Sequence, residues 1–372
     1  MRLLLSGGGT GGHVYPALAV LDELRSGASA SDSARLDDVL YIGTVGGLEA
    51  KIVTRAGVRF EAVEAGGLRG LSLHRAASNG LALLKGCAQA FRILRGFGPD
   101  VVLATGGYAS APAVVAAWLR RCPVLIYLPD IVPGLAVRAL ARLAKRVAVS
   151  FDASLRYFRP GKAVVTGYPV RRGLQVGDRE AAKKRLGLAP DVDTVLLLGG
   201  SRGAHSINKA GADALPGILE MAQVVHVTGE RDHAWLRQTR DHLREELQQR
   251  YHPHIYLHEE MVDALQAADL AVARAGAATM GEFAAVGLPS VLVPYPYSGR
   301  HQEANADYMV QRGAARKLED ESLAHGALGP VVEALLADRE QRQAMAQSAR
   351  DLAKPDAARA IVDELYRLVG GR

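Results

Sequence analysis

Cysteine is nearly absent from this chain of 372 residues, with only Cys87 and Cys122 present. Two thiols make neither a disulfide framework nor a cysteine metal cluster, which fits a reducing compartment. Aromatic residues are only 5% of the chain and are not interleaved with basic ones, so nucleic acid is not expected as a partner. Long apolar runs are missing as well. Val101–Leu119 is uncharged for 19 residues, but Gly106-Gly107 and Pro112 cut it into strand, loop and helix. Three leucines near the N-terminus fall short of the apolar core of a signal peptide, so the chain is expected in the cytosol.

Acidic residues are missing from one long stretch. Between Gly66 and Pro99 there are five basic residues (Arg69, Arg75, Lys85, Arg92, Arg95) and no acid. Residues 1–165 hold 20 Lys+Arg against 11 Asp+Glu, a balance of +9, whereas the remainder holds 25 against 28, a balance of −3. The first half should therefore meet something anionic, a phosphate or a membrane surface. Leu81, Leu84, Ala88 and Phe91 recur at helical spacing in the basic stretch. Such a helix either lies on an anionic membrane or turns its apolar stripe into the core.

What is abundant is glycine, at 40 residues. Five of the six residues Gly7–Gly12 are glycine, placed between the apolar run Arg2–Ser6 and the helical Ala17–Arg25. Without Cβ atoms the backbone can approach an anion, and the N–H groups of the helix start point at the loop. Gly7, Gly9 and Gly12 meet the G-x-G-x-x-G spacing of dinucleotide binding, but the second strand, Val39–Ile42, ends in Gly43-Thr44 where an acid is needed. His13 puts an ionisable imidazole where the loop becomes helix, either for chemistry near neutral pH or as a helix-start histidine bonding a nearby carbonyl.

The alternation of strand and helix implies a doubly wound parallel sheet, with strands at Val58–Val63, Val101–Ala104, Pro123–Leu128, Arg146–Ser150 and Ala163–Thr166. The pattern restarts after Gly167–Arg171, with strands at Thr194–Leu198, Val224–Val227, Ile255–Leu257, Leu270–Ala273 and Ser290–Val293. Thr194–Leu198 breaks into a second glycine loop, Gly199–Ala204, that suits a diphosphate. Arg274–Glu282 follows Leu270–Ala273 at the ligand-binding end, where Glu282 can accept hydrogen bonds from a ribose diol. Gln302 can donate and accept, as sugar hydroxyls require. Asp191-Val192-Asp193 precedes its strand and so reads as a surface turn rather than a metal site. These features predict an α/β chain of two domains.

The chain resembles the MurG-type UDP-N-acetylglucosamine transferases of peptidoglycan synthesis. Seven elements occur in that family's order: GGTGGH at Gly8–His13, GLRG at Gly67–Gly70, GGY at Gly106–Tyr108, PVR at Pro169–Arg171, GGS-x-GA at Gly199–Ala204, R-x-GA at Arg274–Ala277 with Glu282, and HQ…NA at His301–Ala306. The resemblance implies a GT-B fold, two Rossmann-like domains facing across a cleft. It also implies inverting transfer of GlcNAc from UDP-GlcNAc to the MurNAc 4-hydroxyl of lipid I, giving lipid II, with no cofactor and no D-x-D metal. Residues 1–167 would form the acceptor and membrane-facing domain, 168–354 the UDP-GlcNAc domain, and 355–372 a helix returning to the first. The enzyme would be peripheral, on the cytoplasmic face of the plasma membrane, held through the basic segment 66–99.

Carried over, Ser201, Arg202 and Gly203 would face the nucleotide diphosphate, Glu282 the ribose and Gln302 the GlcNAc hydroxyls. Arg171 and Thr10-Gly11-Gly12 match donor-contacting positions, and Tyr108, Arg274, Ala277 and Thr279 complete the substrate contacts. The first loop as a whole would lie on the acceptor side, its glycines toward the lipid diphosphate and His13 near the bond being made. The family's HEQN is replaced here by Tyr127-Leu128-Pro129-Asp130, so His13 and Asp130 both stand as candidate bases. The alternatives are another GT-B enzyme, such as a lipid glycosyltransferase or UDP-GlcNAc 2-epimerase, and a non-catalytic nucleotide-sugar-binding scaffold.

Overall fold

The computed structural model describes residues 1–8, 11–27, 35–66, 73–171, 173–174, 177–199, 204–297 and 301–371. Thr10, Ser201, Arg202, Gly203 and the GLRG element lie outside the described residues, as do the side chains of residues 73–79. The chain divides into two compact units: Met1–Val170 with Lys354–Arg372, and Arg171–Ala353.

The first unit runs β1 (Arg2–Ser6), α1 (Gly11–Ser26), β2 (Asp38–Thr44), α2 (Leu48–Arg55), β3 (Arg59–Val63), α3 (Leu73–Phe97), β4 (Val101–Ala104), α4 (Ala111–Leu119), β5 (Val124–Leu128), α5 (Leu135–Leu140), β6 (Arg146–Val149) and β7 (Ala163–Val165). Its seven strands are all parallel, in the order β3-β2-β1-β4-β5-β6-β7. Helices cover both faces of such a sheet, so its central strands are apolar throughout instead of alternating. Leu3, Leu4, Leu5, Val101, Val102 and Leu103 are accordingly fully buried.

The second unit runs α6 (Arg179–Arg185), β8 (Thr194–Leu198), α7 (His205–Met221), β9 (Gln223–Val227), α8 (His233–Asp241), α9 (Glu245–Gln248), β10 (Tyr251–His254), α10 (Glu260–Ala267), β11 (Leu270–Ala273), α11 (Ala277–Val286), β12 (Ser290–Leu292), α12 (His301–Gln311), β13 (Ala315–Lys317), α13 (Leu328–Ala337) and α14 (Arg339–Leu352). The sheet order β10-β9-β8-β11-β12-β13 repeats the plan of the first unit. The last helix, α15 (Ala357–Gly370), packs against α1 and belongs to the first unit.

One strand is displaced from its expected place. The strand expected at Ile255–Leu257 is formed instead by Tyr251–His254. Pro253 hides it from a pattern reading, because proline cannot donate to a ladder. It is tolerated here because β10 is the edge of the sheet. The edge strand β13 is short and has no apolar run, and the sequence did not reveal it. The D-x-D turn precedes β8, at the edge opposite the strands' carboxyl ends. Asp193 is spent in an ion pair with Arg342 at 2.7 Å, and Asp191 is exposed.

Candidate active site

In each sheet the strand order reverses once, between β1 and β4 in the first unit and between β8 and β11 in the second. Ligands of open α/β sheets bind at this point, outside the carboxyl ends of the strands. Among the described residues, His13 and Tyr108 follow β1 and β4, and Arg274, Ala277, Thr279 and Glu282 follow β11.

In the first unit His13 lies in the opening turn of α1, and Thr105 to Tyr108 follow β4. His13 Nδ1 is 2.8 Å from the Thr105 carbonyl oxygen. A carbonyl can only accept, so Nδ1 carries the proton and Nε2 of the neutral ring keeps its lone pair. The loop beneath the ring requires glycine. Gly106 has φ +97°, and a Cβ there would lie 3.4 Å from His13 Cε1. A Cβ on Gly107, with φ +77°, would meet the Gly8 carbonyl at 2.9 Å. Tyr108 opens a short turn and is 46% exposed.

The first glycine loop is anchored from below by residues that have no motif. Glu49 is fully buried, and its Oε1 accepts from the Thr44 amide at 2.8 Å and the Thr44 hydroxyl at 2.6 Å. The same carboxylate lies where a Cβ on Gly8 would stand, about 2.5 Å from it. Tyr41 donates to the Gly7 carbonyl at 2.9 Å, and burial together with the Glu49 charge pushes its phenol well above the ordinary value. The acid missing from the end of β2 is thus replaced by one five residues later, turned under the loop instead of toward a ribose. Asp130 follows β5 and is half-buried, whereas Tyr127 points into the core and bonds Ser150 at 2.6 Å. Only Asp130 of the Tyr127–Asp130 replacement therefore remains near the ligand edge.

In the second unit α11 begins at Ala277 directly after β11, with Thr279 in its first turn and Glu282 one turn further. Glu282 is buried and pairs with Arg171, whose Nε donates to its Oε1 at 2.8 Å. This pair ties the start of the unit to the ligand end of its sheet. Arg274 is held by Asp320 at 2.5 Å, by Ser206 at 2.8 Å and over the Tyr295 ring at 5.3 Å, which locks the β11 loop to α7. Gln302 Oε1 accepts from the Tyr295 amide at 2.9 Å and so orders the loop after β12. Asn305, fully buried, donates to the Ala275 carbonyl at 3.0 Å and so holds the loop between β11 and α11.

The second unit also contains a buried polar chain that sequence reasoning missed, because its members are scattered over α7, β9, β10 and the start of α8. Asn208 Nδ2 donates to Asp232 at 2.8 Å and to the Thr228 carbonyl at 2.7 Å, which turns its Oδ1 toward His226 Nε2 at 3.1 Å. Nε2 must then carry the proton, and Nδ1 accepts from the Tyr251 hydroxyl at 2.9 Å. Burial drives the His226 pKa down to about 3. Burial alone would push the Asp232 carboxyl up, but hydrogen bonds from Asn208, Trp235 and His205 hold it below the ordinary value.

Two parallel sheets of one strand order, with a glycine-rich stretch following the first strand of each, have the two-domain plan of the GT-B glycosyltransferases. The sequence matches the glycosyltransferase family 28 N-terminal domain over residues 3–149 and the family 28 C-terminal domain over residues 194–361. It is 43% identical to the UDP-N-acetylglucosamine–N-acetylmuramyl-(pentapeptide) pyrophosphoryl-undecaprenol N-acetylglucosamine transferase of Roseiflexus sp. (strain RS-1), over 99% of this chain and 95% of the relative. It is 41% identical to the protein of that name from Moorella thermoacetica, over 99% of both chains. Among solved structures, Acinetobacter baumannii MurG superposes with a TM-score of 0.74 at 26% identity, covering 98% of this chain and 99% of that one. The chain belongs to the MurG family of glycosyltransferase family 28.

Proposed function

We infer that the protein transfers GlcNAc from UDP-GlcNAc to the 4-hydroxyl of MurNAc in lipid I, with inversion, and so produces lipid II for peptidoglycan synthesis. The observation that carries this reading is identity above 40%, across nearly the whole chain, to relatives that bear the name of this activity.

The roles of the side chains are proposals built on the two half-sites. His13 accepts the proton of the attacking hydroxyl at Nε2, a role supported by the Thr105 carbonyl holding the proton at Nδ1. Asp130 is the competing base. Arg171 fixes the Glu282 carboxylate for the ribose diol, the Gln302 side chain serves the GlcNAc hydroxyls, and Arg274, Ala277 and Thr279 shape the donor loop. Tyr108 and Thr10-Gly11-Gly12 line the first loop, and Ser201, Arg202 and Gly203 receive the nucleotide diphosphate.

The membrane surface is also a proposal, and the orientation of α3 supports it. The core side of this helix is Gly86, Ala90, Leu94 and Phe97, whereas Leu81 and Leu84 are each 69% exposed. Phe91 is exposed too, beneath the Arg120 guanidinium at 5.5 Å, and Trp118 and Leu119 at the end of α4 are exposed. The apolar stripe is therefore not core, and exposed Arg92, Arg95, Arg120 and Arg121 add positive charge on α3 and after α4, while Lys85 pairs with Glu64. An apolar patch with a cationic rim suits an anionic bilayer. No helix among the described residues is long and apolar enough to cross a membrane. The enzyme then works as a peripheral protein at the cytoplasmic face, where UDP-GlcNAc is available.

Incubation with radiolabelled UDP-GlcNAc and a lipid I analogue tests the reading. Labelled lipid II and one equivalent of UDP are expected. UDP without labelled lipid, or no reaction, rejects it.

A further inference from the structure

Glu49 stands in the first turn of α2 and is fully buried. A charge is costly to bury unless fixed donors satisfy it, and a buried carboxylate so satisfied is held rigidly. Its Oε1 accepts from the Thr44 amide at 2.8 Å and from the Thr44 hydroxyl at 2.6 Å. Glycine backbone encloses the rest of the side chain. A Cβ on Gly8 would lie 2.5 Å from Oε1 and one on Gly43 2.7 Å from Cγ, and a Cβ on Gly47 would strike the carboxylate as well. The end of β1, the end of β2 and the start of α2 thus close around one charged group. An apolar side chain of similar volume would fill this space, but it would not tie Gly8 to Thr44.

Two sets of contacts pass that placement on to His13. The Gly8 carbonyl oxygen would lie 2.9 Å from a Cβ on Gly107, so these two backbones touch. One residue earlier, Gly7 packs on the Thr105 side chain, the Thr105 amide donates to the Ser6 carbonyl at 2.9 Å, and Tyr41 donates to the Gly7 carbonyl at 2.9 Å. Ser6–Gly8 therefore sets the segment Thr105–Gly107. That segment in turn fixes the imidazole, through the Thr105 carbonyl 2.8 Å from Nδ1 and through Gly106 beneath Cε1.

We propose that Glu49 is a positioning residue for the transfer, acting through Gly8 and the turn Thr105–Gly107 to aim His13 Nε2 at the acceptor hydroxyl. This rests on the reading of His13 as the base of a GlcNAc transferase. In that reading the hydroxyl gives its proton to Nε2 as its oxygen bonds GlcNAc C1, and UDP leaves with the electron pair of the broken bond. A base must stand within hydrogen-bond reach of the proton it takes, and a misplacement of about 1 Å costs on the order of 10²-fold. Being fully buried, Glu49 touches no substrate itself. Its loss therefore falls on kcat and leaves UDP-GlcNAc affinity unchanged.

The test is a double-mutant cycle on the full chain, measuring transfer to a lipid I analogue and UDP-GlcNAc binding by calorimetry. Glu49→Gln keeps the size of the side chain but gives up one of its two acceptor oxygens, and is expected to lower kcat roughly 10²-fold with UDP-GlcNAc affinity retained. Thr44→Val removes only the hydroxyl donor, should lower kcat by less, and decides the matter if Glu49→Gln does not fold. In chains that also carry His13→Ala neither substitution should lower kcat further, because residues that act as one unit are not additive. Wild-type kcat in Glu49→Gln beside an impaired His13→Ala overturns the role of Glu49 alone. An equal loss with and without His13 overturns it too, since that marks a general loosening of the first unit, and so does a fall in UDP-GlcNAc affinity. A fully active His13→Ala removes the base and this proposal with it, and an unmodified chain that makes no labelled lipid II overturns the function as well.

Discussion

The two units share one topology and hold the polar groups at their strand reversals differently. Both sheets reverse order at their fourth strand in sequence, and in both the first strand runs into a glycine-rich stretch of sequence. Among the described residues of the first reversal the polar groups lean on the chain close by: His13 rests on the Thr105 carbonyl, and Glu49 lies under the loop on the Thr44 amide and hydroxyl. At the second they are many and held by one another, as in Arg171–Glu282, Arg274–Asp320–Ser206 and the chain ending at Asp232. His13, the proposed base, keeps Nε2 uncommitted. The groups proposed to hold the donor are instead cross-linked, so that little rotamer entropy would be lost on binding.

Removing His13 should break this comparison most severely. His13→Ala is expected to lower kcat by roughly 10²–10⁴-fold, the usual contribution of a general base, with UDP-GlcNAc affinity retained because the proposed donor site lies with the second unit. Asp130→Asn is the control: if it abolishes turnover while UDP-GlcNAc still binds, and His13→Ala does not, the base is Asp130. The contrary split should appear in the second unit. Glu282→Gln removes a charged acceptor from the ribose diol and unpairs Arg171, so the KM for UDP-GlcNAc should rise roughly 10- to 100-fold, matching about 1.5–3 kcal/mol for a hydrogen bond to a charged group. Steady-state kinetics with both substrates varied would expose a Glu282→Gln effect confined to kcat, and such a result would undo the division between units.

The strands and glycine loops of both reversals were legible because parallel strands are written as short apolar runs. The groups supporting the loops were not. Glu49 sits five residues beyond the position where an acid was sought, and nothing in its neighbours marks it as buried. Asn208, His226, Asp232 and Tyr251 are brought together only by the packing of α7 on β9 and β10. The amphipathic α3 was legible as a pattern, but not in its sense, since periodicity shows that a stripe exists and not which side the core takes.

That exposed stripe separates the units a second way. Leu81→Glu with Leu84→Glu should reduce binding to anionic vesicles by about tenfold or more, since each leucine gives up burial worth up to roughly 1.5–3 kcal/mol and gains a repelled charge. Both positions are exposed, so the melting temperature should stay unchanged. Vesicle sedimentation with undiminished binding would remove α3 as the membrane surface. Transfer to a soluble acceptor analogue should be unaffected.

The smallest effect is on stability and reaches one unit only. The histidines whose protonation burial opposes, His226, His233, His252 and His254, all belong to the second unit. For His226 the sign follows from its two states. The unfolded ring titrates near its ordinary value of 6.5 and the folded ring only at about 3, so above pH 6.5 neither is charged and stability does not change with pH. Below 6.5 the unfolded chain binds the extra proton, and stability is lost as pH falls toward 3, at up to about 1.4 kcal/mol per pH unit for one histidine. The His252 ring, held down to about 4 by burial, adds to the same slope. Hydrogen-exchange protection factors, which divide out the slower intrinsic exchange in acid, should therefore fall between pH 7 and pH 5 in β8, β9 and β10 before they do in β1 and β4. His226→Gln keeps a donor for Asn208 or an acceptor for Tyr251 but cannot titrate, so it should be less stable at pH 7 and lose less on acidification. An equal slope in the two proteins would mean that the acid sensitivity of the second unit lies outside this chain of side chains.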